Sequence, residues 1–315
     1  MLRMPTSHNY PAMSPATERI ELLRKRSFGE VVGDTFAFIR LNLAVILKVH
    51  FLFSLPVILV TAGIFLLLFR DHFSLLHTID SGPFEDSIAF RDDFTNSAVS
   101  IFFSMMAMIP VSTTTFLIVD RYYHSETGKV TFEDVVSVAK RKYLPVLVAK
   151  LVIAPIIFFT SLILVLPGLA FFTLFMCIEL LIIQHNFGIF KAIGKSSNIM
   201  TKFFWSPFLN NLLFLTIYLI FTALMAVPVG ILENALELTT TTIDLDSPWT
   251  IVILAMKTFN TILGFILYTI PTVAMALMYY SIRETSSKAT IMERIRAIGT
   301  EKKKTPTYQL GDEQY

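Results

Sequence analysis

Residues 144–183 have the sequence LPVLVAKLVIAPIIFFTSLILVLPGLAFFTLFMCIELLII, and this stretch decides the fold. Its only charged side chains are Lys150 and Glu179, and no polar stripe recurs at helical spacing. A helix needs about 20 apolar residues to cross a bilayer core, whereas a soluble amphipathic helix carries a polar face. The stretch therefore predicts two membrane-spanning helices joined by a tight turn at residues 166–168.

Four further apolar blocks flank this pair of spans. Together they predict an all-α polytopic membrane protein with six transmembrane helices in three hairpins. The spans are expected at about 49–69, 97–119, 144–165, 167–183, 208–231 and 256–280. Residues 18–298 would form a single membrane domain. Residues 1–17 and 299–315 are polar and rich in Pro, Ser, Thr and Lys, which is typical of disordered tails.

The composition excludes several classes of protein. Hydrophobic residues make up 54% of the 315 residues and charged residues 16%, against roughly a quarter charged in soluble proteins. The formal net charge is only +2, which gives no reason to expect a nucleic-acid partner. The single cysteine, Cys177, excludes an internal disulfide. The sequence contains no catalytic constellation, so we predict no enzymatic activity, no cofactor and no metal site.

The distribution of Lys and Arg predicts the orientation. Residues 1–48 hold seven, the 120–143 loop five, the 184–207 loop three and the segment after residue 280 seven, whereas the opposite side holds only Arg70 and Arg91. Short basic loops resist translocation. We therefore expect a multi-pass protein of a bacterial inner membrane with both termini in the cytoplasm. The basic side would also attract anionic lipid headgroups.

Each hairpin is expected to follow an amphipathic helix that lies at the cytoplasmic interface. Ser27 with Glu30, and Thr131 with Asp134, have the spacing of a capping box, which starts a helix. Asn186 is expected to cap a third start, without a box. An interfacial helix of this kind turns its basic residues toward the headgroups. The sequence thus predicts three similar units, each with one interfacial helix and two spans.

Three short motifs resemble those of a known group of proteins. They are RSFGEVVGDTF at 26–36, LPG at 166–168 and FGIFKAIGKS at 187–196. This set is similar to a broad group of bacterial integral membrane proteins, which includes the YciC-like proteins and the membrane domain of some glycerophosphodiester phosphodiesterases. The resemblance covers most of residues 20–298 and implies a six-helix membrane fold without a defined activity. An acid often precedes the third motif in that group, whereas Gln184 stands near that place here.

Lys150 and Glu179 are the candidate intramembrane polar pair. A charge near the bilayer centre costs at least ~2.5 kcal/mol, so such residues usually pair with each other or serve a pathway. The two lie at similar depths on the antiparallel helices of one hairpin. The alternatives are a structural ion pair, extension of each side chain to the headgroups, or a proton or ion relay.

Two functions from different classes are consistent with these observations. The first is a non-enzymatic scaffold, assembly factor or membrane-homeostasis component that engages lipid or a membrane protein partner. The second is a small-solute or ion transporter that uses Glu179 and its proline-bent spans. A transporter needs a polar cavity that reaches the membrane midplane, whereas a scaffold should have a packed interior and an apolar groove for its partner.

Overall fold

The computed structural model describes residues 19–64, 85–235 and 248–300, and these residues are helical apart from short turns and the segment before Phe28. The helices are α1 (Phe28–Val49), a π-helical turn (His50–Ser54), α2 (residues 55–64), α3 (Glu85–His124), α4 (Phe132–Ile163), α5 (Val165–Phe175), α6 (Ile178–His185), α7 (Ile189–Lys202), α8 (Trp205–Ala235), α9 (Pro248–Leu267) and α10 (Thr269–Thr300). The predicted tail at residues 1–17 lies outside the described residues. Most of the second predicted tail, residues 301–315, also lies outside the described residues, and α10 continues to Thr300.

Six helical segments within the described residues are long and apolar enough to cross a membrane, which confirms the polytopic all-α fold. They are Phe28–Ile64, Ala98–His124, Phe132–Ile163, Val165–His185, Trp205–Leu232 and Ile251–Ser286. The helical segments extend past the predicted spans at most ends, because the helices continue beyond the apolar blocks. The fourth consists of α5 and α6, and the sixth of α9 and α10.

The second, fourth and sixth spans form the centre of the bundle. In the most apolar part of each, 61% of residues are buried, against 22, 33 and 17% in the first, third and fifth spans. Each predicted hairpin thus combines an outer span with an inner one. The outer spans keep large apolar side chains on the surface, as expected of helices that face lipid.

Both predicted capping boxes are formed. The Ser27 hydroxyl accepts the Glu30 N–H while the Glu30 carboxylate accepts the Ser27 N–H, and Thr131 and Asp134 do the same. The separate interfacial helices expected at these two starts are absent from the described residues. No break separates either start from the first or the third span, so both segments are extensions of the spanning helices. Both helices continue even though Pro145 lies inside α4 and a π-helical turn follows α1.

The prediction for Asn186 was wrong. Asn186 ends α6 in the left-handed conformation, with φ 54°, and α7 starts after Gly188 without a side-chain cap. Asparagine adopts this conformation more readily than other non-glycine residues and therefore serves as a helix C-cap. The third segment, α7, is nevertheless a separate helix. Its buried residues Ala192, Ser196 and Met200 recur every four positions, as expected of an amphipathic helix.

The turn between the third and fourth spans is shorter than predicted. Leu164 alone has an extended backbone, with φ −154° and ψ 135°, and α5 begins at Val165. Gly168 packs directly on α4, because a Cβ atom there would lie 2.7 Å from Ser161 Cα and 1.9 Å from Ser161 Oγ. Only glycine allows the two helix backbones to approach this closely.

Candidate functional site

Lys150 and Glu179 form an ion pair inside the bundle. Lys150 Nζ on α4 lies 2.6 Å from Glu179 Oε1 on α6, and the two side chains are 12% and 0% exposed. The antiparallel packing of α4 on the fourth span brings them together, as the spacing on the hairpin predicts. An ion pair with a hydrogen bond greatly lowers the cost of holding both charges at membrane depth.

A third helix contributes to this pair. The Ser112 hydroxyl on α3 donates a hydrogen bond to Glu179 Oε1 at 3.1 Å. Lys150 Nζ also lies 5.9 Å from the centre of the Phe172 ring, within the range of a cation–π interaction. Within the described residues, Glu179 Oε2 and the neighbouring Thr113 hydroxyl have no hydrogen-bond partner. The pair is thus fixed from three helices but not fully hydrogen-bonded.

The cavity beside the pair is small. It has a volume of about 60 Å³ and is lined by Met105, Ser112, Lys150 and Tyr268 among others. This volume is far below the roughly 300–1,000 Å³ of pockets that bind small ligands.

The fourth span is broken next to Glu179, at residues 176–177 between α5 and α6. Ser196 of α7 fits this break. Its hydroxyl donates to the Leu174 carbonyl at 2.7 Å and accepts the Cys177 N–H at 3.3 Å. Asn211 of α8 donates to the Thr173 hydroxyl at 3.1 Å. Two backbone groups at the break are therefore satisfied by one side chain of a later helix, Ser196, while Asn211 bonds to a side chain of α5.

Ser196 belongs to the Gly194–Lys195–Ser196 sequence, whose composition invites comparison with a phosphate-binding loop. The spacing of the glycines does not fit such a loop, and no strand precedes it. The contact of Ser196 with the broken span gives the residue a structural explanation. The sequence contains no signal for this contact, because Ser196 and the break meet only through the packing of α7.

His50 is the centre of a second buried polar cluster. Its Nε2 lies 2.9 Å from Thr269 Oγ1 at the start of α10, and its Nδ1 lies 2.8 Å from Thr114 Oγ1 on α3. The Ser54 hydroxyl lies 3.0 Å from Thr114 Oγ1. His50 and Ser54 are the first and last residues of the π-helical turn. π-Helical turns are rare in proteins, and those that do occur are often found at functional sites. Sequence reasoning missed this cluster.

An apolar groove lies above this turn on the surface of the bundle. Its volume is about 590 Å³, and the side chains around it come from α1, the π-helical turn, α2 and α9, with Val111 and Phe132. Phe51 and Leu52 are 73 and 50% exposed along it. Lys48, in the last turn of α1, is a cation among the lining residues. The groove is thus almost entirely apolar, with one lysine among the residues that line it.

Residues 19–27 form a strap across one end of the bundle. The Arg26 N–H donates to Ser281 Oγ on α10 at 3.0 Å, and the Ile20 N–H donates to the Tyr122 hydroxyl on α3 at 2.8 Å. The Arg26 side chain is fully buried and pairs with Asp34 at 2.9 Å. This strap joins the start of α1 to two inner spans.

Within the part of the chain that the structure describes, no three His, Cys, Asp or Glu side chains are grouped so that they could hold a metal ion. Comparison with known proteins yields no match to a family model, to a curated protein or to a solved structure. The resemblance carried by the three motifs therefore stays a prediction.

Proposed function

We propose that this chain is a non-enzymatic membrane-homeostasis component of a bacterial inner membrane, which engages phospholipid through the groove above the π-helical turn. Both termini would lie in the cytoplasm. The groove is the observation that supports this proposal, because it is preformed and apolar and has a volume of about 590 Å³. Pockets that bind small ligands are typically about 300–1,000 Å³ and mostly apolar.

The side chains of the groove favour an acyl chain over a partner helix. Membrane helices associate closely through small residues such as Gly, Ala and Ser. Large side chains, among them Leu52, Leu55 and Phe265, line the groove, and the small Ser54 is buried and hydrogen-bonded. A flexible chain can follow such a surface, whereas a rigid helix would be held away from it. Lys48 supplies a cation for an anionic headgroup.

The Lys150–Glu179 pair weighs against the transporter hypothesis. A coupling carboxylate must exchange its proton or ion with solvent, and Glu179 is fully buried beside a lysine at 2.6 Å. The adjoining cavity of about 60 Å³ does not provide a polar path of the size that a solute needs. A structural role for the pair agrees with a scaffold or lipid-binding protein.

Filling the groove tests the proposal. Leu52→Trp places a large ring in the groove, and Leu219→Trp on α8 is the matched control, because the two leucines are 50 and 55% exposed. Native mass spectrometry of protein purified in mild detergent should show retained phospholipid for the parent chain and for Leu219→Trp, and loss of it for Leu52→Trp. Lys48→Gln should reduce the preference for phosphatidylglycerol over phosphatidylcholine. Equal lipid retention by the two tryptophan variants would contradict the proposal.

A further inference from the structure

A polar pocket lies at the end of the bundle that carries the strap, away from the apolar groove. Its volume is about 440 Å³, and it lies between the end of α3, the second and third turns of α4 and the end of α6. Asp120, Arg121, Arg141 and Lys142 line it, together with His124 and Gln184. Three permanent cations thus share the pocket with one carboxylate, so the pocket has a net positive charge with a single negative group.

The walls of this pocket are held in place by hydrogen bonds between helices, one of which uses one of the three N–H groups of Lys142. The Gln184 amide donates to the Tyr280 hydroxyl and accepts from Arg283 Nη1 at 3.1 Å, which fixes the end of α6 against α10. Lys142 Nζ donates to the Ile182 carbonyl at 3.4 Å, which joins α4 to α6. The pocket is therefore bounded by three inner or adjoining helices and not by a surface loop.

Two buried polar atoms at the pocket have no hydrogen-bond partner among the described residues. They are the acceptor Asp120 Oδ1 and the donor Arg121 Nε. The Asp120 side chain is only 4% exposed. His124 Nδ1 lies 3.5 Å from Asp120 Oδ1 and Arg121 Nε lies 3.8 Å from Asp120 Oδ2, which are ion-pair distances without a hydrogen bond. An unpaired buried group is costly. A ligand that fits the pocket should supply both an acceptor and a donor.

We infer that this pocket binds a phosphorylated primary amine, with the phosphate at Arg121, Arg141 and Lys142 and the ammonium at Asp120. Arginine and lysine are the usual phosphate ligands in proteins, and a carboxylate can accept a hydrogen bond from an ammonium but not from a quaternary amine. The same chemistry occurs in the headgroup of phosphatidylethanolamine and in free phosphoethanolamine. The site is distinct from the groove and does not depend on the proposed function.

Binding measurements can distinguish the two sources of the ligand. In detergent, calorimetric titration with phosphoethanolamine, phosphocholine and inorganic phosphate tests the soluble compounds. In nanodiscs with equal amounts of phosphatidylethanolamine and phosphatidylcholine, native mass spectrometry of the released protein tests the lipids. We expect the ethanolamine compound to be preferred in at least one arm, because choline has no N–H to donate to Asp120. Preference only in detergent assigns the site to a soluble ligand, and preference in the nanodiscs assigns it to the lipid.

Charge-neutral variants test the assignment of each group. Arg121→Gln and Lys142→Gln should each weaken binding on the order of tenfold, as expected for a lost charged hydrogen bond. Asp120→Asn should abolish the preference for ethanolamine over choline. Lys140→Gln, one residue before Arg141 and outside the pocket, is the matched control and should bind normally. Leu52→Trp should also leave this binding unchanged. No ethanolamine preference in either arm, or an equal loss in Lys140→Gln, would overturn the inference.

Discussion

Glu179 is the residue at which a structural role and a transport role predict opposite results. Its carboxylate is fully buried and is held by Lys150 at 2.6 Å and by Ser112 at 3.1 Å. Glutamine at this position would keep the shape of the side chain and leave the lysine without its counter-ion. Removing one partner of a buried pair typically costs ~3–5 kcal/mol, most of it because the other charge remains buried.

We therefore expect Glu179→Gln to lower the thermal unfolding temperature in detergent clearly. Glu179→Gln combined with Lys150→Met should be no less stable than the single variant, since the unpaired cation is gone. Glu133→Gln, at an exposed position in the first turn of α4, is the control and should have little effect. If Glu179→Gln kept full stability and abolished a proton- or cation-dependent flux in proteoliposomes, the residue would be a coupling site instead.

The break in the fourth span is the feature that matters most at the scale of helices. A break inside a membrane leaves backbone groups that water cannot reach, so other parts of the protein must satisfy them. Ser196 of α7 does so by bonding to both the Leu174 carbonyl and the Cys177 N–H. α7 is thus needed to complete a span that precedes it in the chain.

Ser196→Ala should loosen this break. We expect a loss of ~1–3 kcal/mol in the free energy of unfolding, because two buried backbone groups lose their partner. Cys177 is the single cysteine of the chain and is fully buried at the break, so its labelling by a membrane-permeant maleimide should become faster. The neighbouring Ser197→Ala should leave Cys177 protected. Unchanged labelling in Ser196→Ala would show that α7 does not support the break.

For the whole molecule, the charge asymmetry predicts the topology. Most Lys and Arg residues of the chain flank one end of the spans, which includes the strap and the 125–131 turn. Reporter fusions after Ser125 and after Met292 should therefore report the cytoplasm, and fusions after Ser87 and after Thr240 should report the opposite side. A cytoplasmic signal from the Ser87 fusion would reverse the orientation and place the pocket at Asp120 outside the cell.

Local features of the chain could be predicted because each depends on a few neighbouring residues. Apolar runs of sufficient length determine the spans, since a bilayer offers no partner for an exposed backbone. The capping boxes at Ser27 and Thr131 need only four residues each. The similar depth of Lys150 and Glu179 could also be predicted, because both residues lie on one hairpin with a short turn and the rise of a helix fixes their depth.

The sequence by itself therefore determined the number of spans, their helical form and the similar depth of Lys150 and Glu179, whose pairing was one of three alternatives. Only the tertiary structure decided that Arg26 meets Ser281, that His50 meets Thr269 and that Ser196 enters the break of the fourth span. The first two contacts join residues more than two hundred positions apart. Each depends on which faces of separate helices pack together. In a membrane many apolar faces are equally acceptable to lipid, so packing between helices, and not the apolar pattern, selects those partners.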